Sequence, residues 1–283
     1  MDRRDFVTTL GSAVALSQLG CANHAATNAT GTRQLRRVGI QLYTLRDDAR
    51  RDLEGTLANI AQIGYKDVEL LSSMNNFNMP PATLRKVLDR LGLRAPSTHI
   101  GVENLDHLPQ QLDDAETLGH QYIILASLPG NSSVDDYRRT ADRLNEAGRI
   151  TRERKIWIGF HDEAQDFVAQ NGTVPYEVLV ERTDPSLVRL QLDTGNLAVG
   201  GRDPMDYMKK YGDRYWLFHI KDAPSIGAKT DTELGKGVID FRRLLASIDH
   251  IDDKFLYVEQ ETYPGAPLDS ARRDFAYLSQ LQF

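Results

Sequence analysis

Two histidines, two acids and a lysine stand near the ends of four apolar runs, and together they have the chemistry to hold a divalent ion and move a proton. His161 closes the run Lys155–His161, Asp193 closes Val188–Asp193, His219 lies in Tyr215–Lys221 and Glu259 in Phe255–Glu261. Strand side chains alternate between two faces. Trp157, Gly159 and His161 therefore share one face, opposite Ile158 and Phe160; Tyr257 and Glu259 oppose Leu256 and Val258; Leu217, His219 and Lys221 oppose Phe218 and Ile220. Each polar residue falls opposite the apolar set that helices would cover. A mixed imidazole and carboxylate set of His161, Asp193, His219 and Glu259 suits Mn²⁺, Zn²⁺ or Mg²⁺, with positions left for substrate oxygens. Spacing does not choose among these ions. Glu261 has the parity of Glu259 and is its rival; Glu259 is preferred because the strand pattern is still unbroken there. Glu163 has the parity of His161 but falls in the following loop.

A second ring of candidates for substrate contact comes from Gln41 and Tyr43 in the first apolar run, Glu69 in the second and His99 in the third. Lys221 has two readings. It is a rim partner of Asp222, or an ammonium that reaches into the same mouth to bond a substrate oxygen or stabilise an enolate.

What must position these residues is a succession of eight apolar runs: Arg37–Thr44, Tyr65–Leu71, Arg94–Ile100, Gln121–Ser127 and the four above. Segments with helical periodicity separate them, among them Leu53–Ile63, Thr83–Leu91, Leu105–Leu118 and Val134–Arg154; Gly64, Gly92 and Gly119 stand where the first three stop. Strict alternation of strand and helix implies parallel strands joined by right-handed crossovers. Eight such units predict an α/β fold, a (β/α)₈ TIM barrel, in which catalytic groups gather at the C-terminal ends of the strands. The segment Glu233–Asp240 reads as a mouth loop entering the last helix but one, and the tryptophans and tyrosines of the strands read as packing.

The start of the chain is read separately. Arg3 and Arg4, an apolar stretch from Phe6 to Leu19 and small residues after it have the layout of a secretory signal of the twin-arginine type. Residues 1–32 are expected to be signal peptide and flexible leader, residues 33–283 one catalytic domain, and the location periplasmic or otherwise exported. Cys21, the single cysteine of the 283 residues, stands where a lipid anchor would attach, but Gln18 occupies a position where such signals carry an aliphatic residue. With no cysteine beyond it, thiolate metal sites and disulfides are excluded from the domain. A net charge of −6 gives no footprint for a nucleic-acid backbone, and no apolar stretch is long enough to span a membrane.

Seven motifs in order carry a resemblance: IQLYTLRD (Ile40–Asp47), GYKDVEL (Gly64–Leu70), GFHDE (Gly159–Glu163), LQLDTGN (Leu190–Asn196), FHIKD (Phe218–Asp222), ELGKGVIDF (Glu233–Phe241) and YVEQE (Tyr257–Glu261). The chain resembles the sugar phosphate isomerase/epimerase family of the xylose isomerase-like barrels, in its exported branch. The resemblance implies a divalent ion held by one residue from each of strands five to eight, here His161, Asp193, His219 and Glu259. It also implies a small carbohydrate substrate, isomerised or epimerised by proton abstraction beside a carbonyl through a metal-stabilised enediolate. In the family's ketose 3-epimerases the fifth- and eighth-strand ligands are both glutamates; here the fifth is His161, which leaves Glu259, with Glu163 or Lys221, as the proton-moving groups. A lyase acting on 3-keto-glycosides, an endonuclease IV-like phosphodiesterase and a non-catalytic sugar-binding barrel are the alternatives. No basic cluster marks a phosphate site, so an unphosphorylated keto-sugar or keto-glycoside is expected.

Overall fold

Each apolar run forms a strand, and the strands close on one another. The computed structural model describes residues 32–283, of which Arg33–Phe283 form the barrel unit. The expected signal, with Arg3, Arg4 and Cys21, lies outside the described residues. The strands are β1 (Gly39–Gln41), β2 (Asp67–Leu71), β3 (Arg94–Ile100), β4 (Tyr122–Leu125), β5 (Trp157–His161), β6 (Val188–Asp193), β7 (Tyr215–Ile220) and β8 (Phe255–Val258). All neighbours are parallel and β8 pairs with β1, giving a closed eight-stranded barrel. Helices α1 (Arg46–Arg51), α2 (Leu53–Ile63), α3 (Pro81–Leu91), α4 (Leu108–Leu118), α5 (Val134–Glu153), α6 (Pro175–Arg182), α7 (Thr194–Val199), α8 (Pro204–Tyr211), α9 (Phe241–Ala246) and α10 (Pro267–Gln280) surround it.

Helix limits follow local chemistry. Ser133 caps α5 by accepting from the Asp136 N–H while Asp136 reaches back to the Ser133 N–H, a reciprocal pair that satisfies donors the helix leaves open. Gly119 ends α4 at φ 81°, a left-handed cap that a side chain would resist. Some limits differ from expectation. Leu42–Leu45 leaves β1 as a 3₁₀ turn, and β8 stops at Val258, so Glu259 lies one residue past the strand rather than within it. Its N–H still reaches the Ile220 carbonyl at 3.2 Å, which keeps it in line.

Outward-facing Ile40, Val68, Ile123, Ile158, Phe160, Leu192 and Phe218 are fully buried under the helices. Burying such a side chain contributes roughly 1.5–3 kcal/mol, so this outer layer holds the barrel shut. The apolar interior is smaller: Tyr122, Ile124, Leu217, Phe255 and Tyr257 fill its middle. Toward the N-terminal ends of the strands, the Arg189 guanidinium lies 3.8 Å from the Trp157 ring and 4.4 Å from that of Trp216. The tryptophans thus pack, as expected. Above the apolar middle the interior turns polar, and that upper layer carries the site.

Candidate active site and metal centre

The polar layer is organised around Glu69, which is fully buried. Its carboxylate accepts from Gln41 Nε2 at 2.8 Å, Ser97 Oγ at 2.7 Å and Gln191 Nε2 at 2.9 and 3.0 Å. His219 Nε2 lies 2.6 Å from it and His99 Nε2 3.2 Å. Burial would raise this carboxyl, but the His99 and His219 imidazoles hold it well below the usual range. Gln41 also accepts from the Tyr43 N–H at 3.1 Å, fixing the turn that leaves β1. Gln41 and Glu69, expected to touch substrate, are instead fully buried beneath the pocket and hydrogen-bonded within the protein. Parity told which way they face; it could not tell how deep they lie.

One step higher, four donors converge. His161, Asp193, His219 and Glu259 each place a ligand atom within 4.8 Å of the others, and all four are buried. Each is aimed by a fixed partner. His161 Nδ1 bonds the Ala126 carbonyl at 2.8 Å, leaving Nε2 toward the centre. Asp193 Oδ1 accepts from the Asn196 N–H at 2.8 Å and so caps α7, leaving Oδ2 inward. His219, bonded to Glu69 through Nε2, turns Nδ1 to within 3.0 Å of Glu259 Oε2 and 3.5 Å of Asp193 Oδ2. His161 Nε2 stands 3.7 Å from the same Asp193 oxygen.

These residues fit a divalent ion. Ligands about 2.1 Å from a shared ion stand roughly 3–3.5 Å from their neighbours, close to the separations here. His161 Nε2 and Asp193 Oδ2 are buried and have no hydrogen-bond partner among the described residues, a costly condition that a cation would relieve. The backing of His219 by Glu69 and of His161 by a carbonyl is the arrangement that fixes tautomer and ring orientation for metal binding. A second grouping, His99 with His161 and His219, also lies close. His99 Nε2 is already engaged by Gln191 Oε1 at 2.8 Å, which favours the set of four.

Lys221 sits beside this cluster and is buried. Its ammonium lies 3.5 Å from Asp193 Oδ2 and 3.3 Å from Glu259 Oε2, donates to Asn196 Oδ1 at 3.2 Å and pairs with Glu261. The rim pair with Asp222 is not made. Asp222 instead accepts backbone N–H groups of Ala223, Gly235, Gly237 and Ile239 and so folds the mouth loop before α9. Burial would lower the ammonium, yet Asp193, Glu259 and Glu261 raise it well above its ordinary value. Gly195 gives the lysine its passage: a Cβ there would stand 2.5 Å from the Lys221 side chain.

The cluster opens into a pocket of about 250 Å³ whose wall includes Tyr43, His99, His161, Glu163, Glu259 and Glu261. Glu163, in the loop after β5, is raised to about 7 by burial, partly offset by His161 and Lys221. Asn196 Nδ2 lies 3.4 Å from its carboxylate. Of the residues singled out in the sequence, His161, Asp193, His219, Glu259 and Lys221 are brought together, Tyr43, His99 and Glu163 line the pocket, and Gln41 and Glu69 support it from below. Four supporting residues were not anticipated: Ser97, Asp162, Gln191 and Asn196. Gln191 had the parity of Asp193 and could have been found by the same rule. Asp162, whose Oδ1 accepts the Asp193 N–H at 2.9 Å, and Asn196 act through backbone contacts that no spacing announces.

A closed barrel whose strand ends present two imidazoles and two carboxylates defines a class, and comparison supplies the family. The chain belongs to the Xylose isomerase-like TIM barrel family, which it matches over residues 57–281. It is 25% identical over 269 residues to the inosose dehydratase of Geobacillus kaustophilus, covering 80% of this chain and 86% of that one. A sugar phosphate isomerase/epimerase from Parabacteroides distasonis superposes with a TM-score of 0.72 at 24% identity, covering 90% of this chain and 98% of the other. The IOLI protein with a bound zinc atom superposes with a TM-score of 0.66 at 14% identity over 85% and 95% of the two chains.

Proposed function

We propose that the protein is a divalent-metal-dependent enzyme that removes a proton from the carbon beside a carbonyl of an unphosphorylated keto-sugar and returns it to give an isomer or epimer. The observation that carries this reading is the pair of buried ligand atoms without a hydrogen-bond partner among the described residues, His161 Nε2 and Asp193 Oδ2, meeting His219 and Glu259 under the pocket. A bound ion would supply Lewis acidity to the carbonyl oxygen, and the zinc-bound relative supports a metal in this fold.

The chain's own residues divide the remaining work. Glu259 borders the pocket and takes the proton, while the His219 and Lys221 charges hold its carboxyl below the usual range against burial, so that it is ionised. Lys221 supplies a fixed cation beside developing negative charge. Glu163 borders the same pocket and is placed to donate a proton or to hold a hydroxyl. Tyr43 and His99 orient the sugar from the wall. Among the described residues the pocket wall carries no lysine or arginine, and Lys221, behind it, is already paired with Glu259 and Glu261, which supports an unphosphorylated substrate.

A second reading, loss of water, shares the first proton transfer and differs in its end: Glu163 protonates a departing hydroxyl rather than a carbon. The relatives named inosose dehydratase favour it. Incubation of the metal-loaded protein with keto-hexoses in D₂O tests both. Solvent deuterium at the carbon beside the carbonyl supports the shared step; a recovered epimer selects the first reading, an unsaturated product the second. Wild-type exchange rates in Asp193→Ala or His219→Ala would overturn both. Export by a twin-arginine route is proposed from Arg3 and Arg4; periplasmic accumulation that survives replacing both arginines with lysine would refute it.

A further inference from the structure

The end of the barrel opposite the catalytic layer gathers cations. Seven of the eight strands carry one within two residues of their start: Arg37 at β1, Lys66 at β2, Arg94 at β3, Lys155 at β5, Arg189 at β6, Arg214 at β7 and Lys254 at β8. Arg94 is taken by the buried Asp67, which accepts from it twice at 2.7 Å. The other six form no ion pair among the described residues, and neither does Arg152 near the end of α5. On the same helix Arg138, Arg139, Arg143 and Arg149 each hold a carboxylate. Arg152 stands out against them, lying 3.6 Å from the centre of the Trp157 ring instead.

Three of these cations are stacked on two rings. Arg189 lies 3.8 Å from the centre of Trp157 and 4.4 Å from that of Trp216, and Lys254 lies 3.8 Å from the latter. Arg152 and Arg189 are therefore at most about 7.4 Å apart (3.6 plus 3.8), and Arg189 and Lys254 at most about 8.2 Å (4.4 plus 3.8). Each ring contact is favourable, but the crowding of like charge is not. Burial lowers the Arg189 guanidinium, Tyr122 raises it, and Arg152 and Arg214 lower it further; Lys254 is lowered by burial and by Arg189, against Asp213, Asp253 and Asp249. Donors also outnumber acceptors. Arg189 Nε, Arg214 Nε and Trp216 Nε1 are buried without a hydrogen-bond partner among the described residues, a costly state that an acceptor relieves.

A tetrahedral oxyanion accepts charge-assisted hydrogen bonds of ~2.7–2.9 Å on several sides and so can bridge cations at these separations. Lys254 also borders two cavities, one of about 430 Å³ with Arg214 and His250 in its wall and one of about 140 Å³ with Arg36 and Arg37. The larger has room for an organic body, and its Asp213 and Asp249 suit a neutral one. A continuous anionic lipid face would meet those aspartates together with the exposed Asp252 and Asp253, which favours a small soluble anion.

We propose that the end of the barrel opposite the catalytic pocket binds a small phosphate- or sulfate-bearing anion, held by Arg152, Arg189 and Lys254. Substrates of this fold enter at the other end, so the anion is not the substrate and the proposal stands apart from the reaction proposed above. Bound to the folded state alone, it stabilises the closed barrel.

Sulfate is the probe, because it has the required shape and charge and little affinity for a metal centre. Calorimetric titration of the metal-loaded protein with sodium sulfate, at an ionic strength held constant with sodium chloride, is expected to show one saturable site. Loss of one charge-assisted contact weakens such a site about tenfold, so Arg152→Gln and Lys254→Gln should each raise Kd about tenfold and the double variant should abolish saturation. Neither side chain makes a hydrogen bond among the described residues, and unchanged Zn²⁺ affinity at the other end reports an intact barrel in each variant. No saturable sulfate binding to wild type, or the wild-type Kd in both single variants, would overturn the proposal. Sedimentation with phosphatidylglycerol vesicles separates the sources: binding to vesicles without binding of sulfate overturns it in favour of a membrane-facing surface.

Discussion

Replacing Glu69 by glutamine probes whether the buried carboxylate tunes the metal centre from below. The amide keeps the shape, so the side chain can leave its oxygen toward His219 Nε2, 2.6 Å away, and turn its NH₂ toward Ser97 and Gln191. Ser97 can answer by accepting, since its hydroxyl also has Tyr257 as a partner at 2.7 Å. Gln191 Nε2 keeps an acceptor in the retained oxygen, 2.9 Å away, but stands 3.0 Å from the new NH₂, whose second proton is left without an acceptor. One unsatisfied buried donor costs about 1–3 kcal/mol, which sets the expected loss of stability at about 2 kcal/mol. The larger consequence falls on His219, whose imidazole loses the negative charge that orients it and strengthens it as a ligand. Loss of such a partner lowers metal affinity about 10- to 100-fold. Titration calorimetry with Zn²⁺ and Mn²⁺ reads the affinity, and urea unfolding reads the stability. In a His219→Ala background the same change at position 69 should have no further effect on affinity, because the imidazole it acts through is gone. Metal affinity within twofold of wild type in Glu69→Gln, or an equal loss with and without His219, would refute the reasoning.

Lys221→Met removes the buried ammonium while keeping the stem; exchange of the substrate proton should fall about 10²- to 10³-fold, with metal content by atomic emission unchanged. Gly195→Ala should reproduce part of that defect at a distance, because the new Cβ would stand 2.5 Å from the Lys221 stem; activity in the alanine variant equal to wild type would contradict the packing described. His120 is held near a pKa of about 4 by burial, against an ordinary value of 6.5. The folded state therefore keeps it neutral while the unfolded chain takes up a proton, and its contribution is complete above pH 6.5 and lost as pH falls toward 4, roughly 3 kcal/mol in all. His120→Asn, which retains a donor for the Ala95 carbonyl, should flatten the acid side of the stability curve measured by urea midpoints.

How far the sequence disclosed the molecule can be seen residue by residue. Alternation in short apolar runs is a strong signal, and it placed His161, Asp193 and His219 on the inner face because a barrel gives each strand only an inside and an outside. It failed on depth. Gln41 and Glu69 face inward like the ligands, but the stagger of the strands sets them one layer lower, and stagger is a property of the closed sheet. It also failed on short elements: α7 spans six residues and begins on the side chain of Asp193 itself, too few for a helical period to register. Lys221 had two readings because Asp222 is its neighbour in sequence. The structure separates them, sending the lysine into the barrel and the aspartate to the mouth loop, as the alternation of β7 would if carried two residues past its end at Ile220.

The pairing of β8 with β1 also bears on how the molecule is made. Gly39 and Ile40 find their last partners in Tyr257 and Val258, so the ring cannot shut until β8 has been synthesised. Contacts so distant along the chain form slowly and leave an unpaired sheet edge open meanwhile. A nascent molecule would therefore need protection along that seam, and a late truncation should yield an aggregate rather than a smaller working enzyme.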